Sequence, residues 1–136
     1  MIDIRWSDRY LLGYEKIDLQ HRVFVDLIRS TSDAIDRQLD LALVRDRLEE
    51  FARYAEFHFF SEEELIIGSG YPDAEVHMNE HRLLLSTLKE KIKRYLRNPN
   101  DGESLVIFMF DWFVNHTQDV DRKLAAYLVQ QEQTDN

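Results

Sequence analysis

The side chains able to do chemistry in this chain are few and regularly placed. There are five histidines and no cysteine among its 136 residues. Four potential metal ligands fall in two short runs, His58-Phe-Phe-Ser-Glu62 and His77-Met-Asn-Glu-His81. Within each run two ligands stand four residues apart, so on a helix both project from one face about one turn apart. Between the runs lies Gly68-Ser-Gly-Tyr-Pro72, a strong turn signal. His58 with His81, and Glu62 with His77, are both centred between Ser69 and Gly70. Two helices folding back antiparallel at that point bring all four side chains to one level.

The same symmetry holds for the rest of the chain. His21 and the His58/Glu62 pair are centred between Asp40 and Leu41, within Gln38-Leu-Asp-Leu41. The His77/His81 pair and His116 are centred between Arg97 and Asn98, beside Asn98-Pro-Asn-Asp-Gly102. Each centre falls on or next to a polar or Gly/Pro break. The expected fold is therefore all-α, an up-down-up-down four-helix bundle with every histidine of the chain in one layer of its core.

Apolar periodicity supplies the four helices. The first spans about Glu15 to Gln38, with Ile17, His21, Phe24, Ile28 and Ile35 on one stripe. The second spans about Leu41 to Ile67 through Val44, Leu48, Phe51, Ala55, His58, Glu62 and Leu65. Glu62 thus lies on a core face, where a carboxylate must be neutral, paired or metal-bound. Asp73 is the expected N-cap of the third helix, which runs to Arg97 through His77, His81, Leu84, Leu88, Ile92 and Tyr95. Its Lys89, Lys91, Lys93 and Arg94 form a solvated face. The fourth helix runs to about Val129, with Leu105, Phe108, Trp112 and His116 aligned. Residues 1–13, with Trp6, Tyr10, Leu11 and Gly13, read as an ordered arm laid over the bundle, and residues 130–136 as a frayed polar tail.

Bulk composition narrows the function. The length suits a single domain, 1–136, with one core. A net charge of −9 argues against nucleic acid, whose binding depends on cationic contacts to phosphate, and against anionic membrane surfaces. No apolar run approaches a membrane span, and Met1-Ile-Asp-Ile-Arg has no signal-peptide pattern, so a cytoplasmic location is expected. The lack of cysteine excludes disulfides, thiolate-bound zinc and iron–sulfur clusters.

Several chemistries compete for the histidines. A lone histidine on an apolar face is more often a satisfied core residue than a ligand, so His21 gains meaning only beside its partners. His77-x-x-Glu80-His81 matches an inverted zinc-peptidase pattern, but that fold needs a substrate cleft and a further ligand far along a larger chain. The ferritin-like di-iron pattern requires Glu-x-x-His, and no histidine here has a glutamate three residues before it. What remains is five imidazoles at one level, with Glu62 beside them and Asp119 or Asp121 available on the fourth helix. That is more than one metal ion needs. A dinuclear centre of nitrogen and oxygen donors suits iron ahead of manganese, zinc or copper.

The pattern resembles the hemerythrins, in particular the bacterial single-domain type. The matching segments are Ile17-Asp-Leu-Gln-His21, His58-Phe-Phe-Ser-Glu62-Glu63, Gly70-Tyr-Pro72 with His77-x-x-x-His81, and Trp112-Phe-Val-Asn-His116 with Asp121. The resemblance runs from Trp6 to about Tyr127. It implies two iron ions with an oxo or hydroxo bridge, one held by His77, His81 and His116 and the other by His21 and His58. Glu62 and Asp121 would bridge both. On an ideal helix Asp121 stands roughly 140° around from His116, so spacing alone favours Asp119, and Asp121 must reach in through a local distortion.

The function implied is reversible dioxygen binding for storage, delivery or sensing rather than enzymatic turnover, with no protein partner indicated. The alternatives are a di-iron redox enzyme reducing nitric oxide or peroxide, and an iron-handling or sensory domain. Phe59, Trp112, Phe113 and Val114 would wall the oxygen pocket. Two departures stand near it: Phe113 where the family often has leucine, and Ile66 where it often has methionine. Glu63 could orient a ligating imidazole from behind.

Overall fold

The computed structural model describes residues 3–134. Four long helical segments follow a short 3-10 turn at Asp8–Tyr10: α1, Glu15–Asp36; α2, Leu41–Ser69; α3, Ala74–Arg97; and a last segment in two parts. Its first part is α4, Gly102–His116, and its second is α5, Arg122–Thr134. A π-helical turn, Thr117–Asp121, joins them. α1 packs on α2 and α4, and α3 packs on the same two, which closes an up-down-up-down bundle. No helix among the described residues is long and apolar enough to cross a membrane.

The three breaks between helices lie within a residue or two of the expected centres. Gln38 takes a left-handed backbone, φ 53°, and so ends α1 two residues before the expected limit. The Asp40 carboxylate accepts from Ala42 N at 3.4 Å to start α2. Gly70, φ 68°, ends α2 in the left-handed conformation, with Tyr71 N donating to Ile66 O at 3.2 Å. Asp73 does precede α3, but its side chain makes no capping hydrogen bond. Asp101 caps α4 by accepting from Ser104 N at 3.1 Å.

Side chains around the histidine layer form two apolar clusters. The larger contains Phe24, Ile28, Leu48, Phe51, Ala55, Leu88, Met109, Trp112 and Phe113. The smaller contains Ile17, Ile66, Tyr71, Leu124 and Leu128. Along α1 the order is Ile17, His21, Phe24; along α2 it is Ala55, His58, Glu62, Ile66. Each helix thus passes from one apolar cluster through a polar band into the other, and both ends of that band are closed to water. Leu65, assigned to the core stripe from its spacing, is only half-buried, and Ile66 fills that place. On the outer face Lys91 is half-buried, its ammonium 4.8 Å from the centre of the Phe108 ring.

Both ends of the described residues are tied down. The Asp18 carboxylate accepts from Leu12 N at 2.8 Å and Gly13 N at 3.1 Å. Arg29 Nε donates to Ile4 O at 2.9 Å, and the buried Tyr10 ring meets Phe113 edge-on at 5.7 Å. Residues 3–13 are therefore held against the bundle, while residues 1–2 lie outside the described residues. The expectation of a frayed tail is corrected for residues 130–134, which continue α5. Gln131 Nε2 donates to Ser69 O at 2.8 Å, fastening the last turn to the α2–α3 corner. Residues 135–136 lie outside the described residues.

Candidate metal centre

α1, α2, α3 and the α4–α5 segment each contribute to one buried cluster. It resolves into two groups that share Glu62 and Asp121: His77, His81 and His116 on one side, His21 and His58 on the other. Within each group the donor atoms lie within 4.8 Å of one another. All seven side chains are buried. The structure thus brings together every ligand position inferred from the sequence.

The two carboxylates are divided between the groups. Glu62 Oε1 lies 3.1 Å from both His77 Nε2 and His81 Nε2, while Oε2 lies 2.8 Å from His58 Nε2 and 3.6 Å from His21 Nε2. Asp121 Oδ1 lies 3.1 Å from His77 Nε2 and from His116 Nε2, and Oδ2 lies 3.0 Å from His21 Nε2. Many of these close approaches are not hydrogen bonds. Among the described residues, His21 Nε2, His58 Nε2, His116 Nε2, Glu62 Oε2 and both Asp121 oxygens have no partner of acceptable hydrogen-bond geometry. Buried polar atoms are ordinarily paired. Lone pairs that converge without bonding one another are what a donor set for cations requires, and nitrogen and carboxylate donors suit iron.

Asp121 reaches the centre because of the π turn. Five residues in an α-helix carry a side chain roughly 140° away from its starting face. A π turn closes i to i+5 and absorbs one extra residue, so His116 and Asp121 share a face. Asp119, favoured by spacing alone, is 70% exposed at its side chain and pairs with Lys123 at 3.4 Å.

Charge is unevenly held when protons rather than metal occupy the cluster. Burial lowers the His21 and His77 pKa, but the Asp121 and Glu62 carboxylates facing the rings outweigh it and carry both up to about 9. His116 is pushed up to about 10, burial again being outweighed, chiefly by Asp121. Burial holds His58 below its usual value despite Glu62 beside it. Burial would raise both carboxylates, yet the surrounding imidazoles hold Glu62 and Asp121 well below the carboxylate range.

Linkage then gives the metal-free protein a stability window. The raised histidines contribute stability that is full below about pH 6.5 and is lost as pH rises through about 9 to 10. The depressed carboxylates contribute stability that is present above about pH 4 and is lost on acidification. Calorimetry in chelator should show the melting temperature falling between pH 7 and 10, and a flat profile over that range contradicts the assignment.

Aromatic rings enclose the imidazoles. Phe59 stacks on His81 with ring centres 4.1 Å apart, and Trp112 lies parallel to His116 at 6.2 Å. Phe113 meets His21 edge-on at 5.5 Å. Val114 is half-buried against the larger apolar cluster. Phe24, read from the sequence only as core, also meets His58 edge-on at 5.0 Å.

Behind the imidazoles, His58 Nδ1 donates to Gln20 Oε1 at 2.7 Å and His116 Nδ1 to Glu80 Oε1 at 2.8 Å. Sequence reasoning missed both partners. Each directly precedes a site histidine yet serves an imidazole on the next helix, and that adjacency was the available signal. Glu63 lies 3.8 Å from His81 Nδ1, too far for the hydrogen bond expected of it.

A closed helical bundle whose core carries two histidine groups sharing two carboxylates defines a class of cation-binding bundle proteins. The family described as hemerythrin HHE cation binding domain matches residues 12–128. The chain belongs to the hemerythrin family. It is 28% identical to a bacteriohemerythrin of Ralstonia nicotianae over 128 residues, covering 93% of this chain and 90% of that one. It is 27% identical to a myohemerythrin of Theromyzon tessulatum over 124 residues, covering 91% of this chain and 92% of that one. Its fold superposes on a wild-type hemerythrin crystal structure with a TM-score of 0.83 at 23% identity, over 93% of this chain and 98% of that one.

Proposed function

We propose that this protein binds dioxygen reversibly at an oxo- or hydroxo-bridged di-iron centre in the bundle core, for storage, delivery or sensing. His77, His81 and His116 would hold one iron and His21 and His58 the other, with Glu62 and Asp121 shared between them. The observation that carries this reading is the division of the carboxylates: each presents one oxygen to each histidine group. When bound, a pair of irons supplies the redox capacity that holds dioxygen reversibly.

The protein side of the mechanism is a matter of donor count and dryness. The three-histidine position has one more imidazole than its neighbour, so the two-histidine position would leave room for an external ligand. Phe113 and Phe24 stand against His21 and His58 there, with Tyr10 packed behind Phe113. These rings replace water around the position and so restrain the proton transfer that promotes irreversible oxidation. Phe59 and Trp112 do the same beside His81 and His116.

The test is an anaerobic titration of reduced, iron-loaded protein with dioxygen. A visible absorption band should develop with one dioxygen per two irons and vanish on degassing. Direct conversion to the oxidised protein, with no reversible band, overturns dioxygen storage or delivery in favour of redox turnover.

A further inference from the structure

The two histidine groups are alike in what faces their centre and different in what stands behind them. Behind the three-histidine group are anions. The Glu80 carboxylate accepts from His116 Nδ1 at 2.8 Å, and the Glu63 carboxylate lies 3.8 Å from His81 Nδ1. Behind the two-histidine group stands a neutral amide, Gln20, whose Oε1 accepts from His58 Nδ1 at 2.7 Å. The Gln20 amide is oriented rather than free, because its Nε2 donates to Ser61 Oγ at 3.0 Å. Both acceptors come from the helix preceding the imidazole they serve, so the groups share one architecture, with an anion behind one and a neutral amide behind the other.

We infer that Glu80 is a positioning residue that makes the three-histidine position the tighter of the two metal positions, with Gln20 its uncharged counterpart at the other. This rests on the dinuclear reading proposed above. An Nδ1–H donated to a carboxylate fixes the tautomer that leaves the Nε2 lone pair facing the centre. It also moves negative character into the ring, which makes that lone pair a better donor to a cation. A charge-assisted hydrogen bond is about twice as strong as a neutral one. The Glu80 side chain is 33% exposed, so water screens part of its charge. The hydrogen bond is direct, however, and survives that screening. The outcome is ordered loading: the first metal ion fills the three-histidine position and the second completes the pair.

A purely structural role for Glu80, as a tie between α3 and α4, makes a different prediction. Glu80→Gln keeps an acceptor of the same shape and removes only the charge, so a tie survives it. The experiment is an anaerobic titration of metal-free protein with ferrous iron against a competing chelator, alongside melting of the metal-free form. Glu80→Gln should weaken the tighter of two binding steps by about 10- to 100-fold, leaving the weaker step and the metal-free melting temperature close to wild type. Gln20→Glu, the reciprocal change, should strengthen the weaker step and bring the two affinities together. A lower metal-free melting temperature in Glu80→Gln, with both binding steps weakened alike, overturns the inference, because the charge then supports the fold and not one position. Both steps unchanged in both variants overturn the inference and leave the dinuclear reading standing. Wild-type protein that takes up fewer than two ions overturns the dinuclear reading, and this inference with it.

Discussion

Glu62→Ala should empty both proposed metal positions and destabilise the metal-free fold by about 3–5 kcal/mol, the usual cost of removing one partner from a buried charged set. Glu62 is fully buried and stands within hydrogen-bonding range of His58, His77 and His81, with His21 slightly farther. Asp121 can still serve His21, His77 and His116. His58 Nε2 and His81 Nε2 lose the only carboxylate close to them among the described residues. The variant therefore loses an oxygen donor at each position and also leaves two imidazoles facing an empty space in the core. Iron content after anaerobic loading and the melting temperature in chelator together measure this. A fall in melting temperature on the order of 10–20 °C is expected for a domain of this size. Iron content and melting temperature both equal to wild type contradict the role given to Glu62.

The second large effect separates two aspartates only two residues apart. Asp121→Ala should remove the second carboxylate shared by the groups and lose the dinuclear absorption spectrum. It also strips His116 of the carboxylate in front of it while Glu80 still stands behind. Asp119→Ala should retain iron and change stability by no more than about 0.5 kcal/mol, as is usual for an exposed position. Among the described residues it pairs with Lys123 on the surface, a pair of small worth in water. Iron content and the visible spectrum of the two variants decide the assignment. The reverse pattern, with Asp119→Ala losing the spectrum, shows that the π turn does not persist in solution.

These two aspartates also mark where reading the chain as ideal helices stops working. Helical spacing placed His58, Glu62, His77 and His81 correctly, since the side chains involved are four residues apart inside unbroken helices. It placed His21 and His116 correctly because the Gln38–Leu41 and Asn98–Gly102 breaks fix where each helix turns back. It favoured Asp119 over Asp121 because a regular helix admits no extra residue, and only the resemblance to a family pointed to Asp121. The same limit explains the tail. Residues 130–134 are polar and carry no apolar stripe, yet Gln131 finds the Ser69 carbonyl across the bundle end.

The amino-acid sequence by itself determined which donors exist and the height at which each sits along the bundle. An α-helix rises about 1.5 Å per residue whatever it packs against, so equal distances from a turn mean equal levels. It also determined that the level is sealed, because each helix places apolar residues on both sides of its ligand. Tertiary structure alone decided the contacts that depend on rotation about a helix axis and on the distance between axes. Those are the inward turn of Asp121 through a π turn, the division of each carboxylate between two histidine groups, and the reach of Gln20 and Glu80 to imidazoles on the next helix. Each depends on a rotation of tens of degrees or a shift of an ångström. Packing of neighbouring helices sets such quantities, and residue spacing within one helix does not encode them.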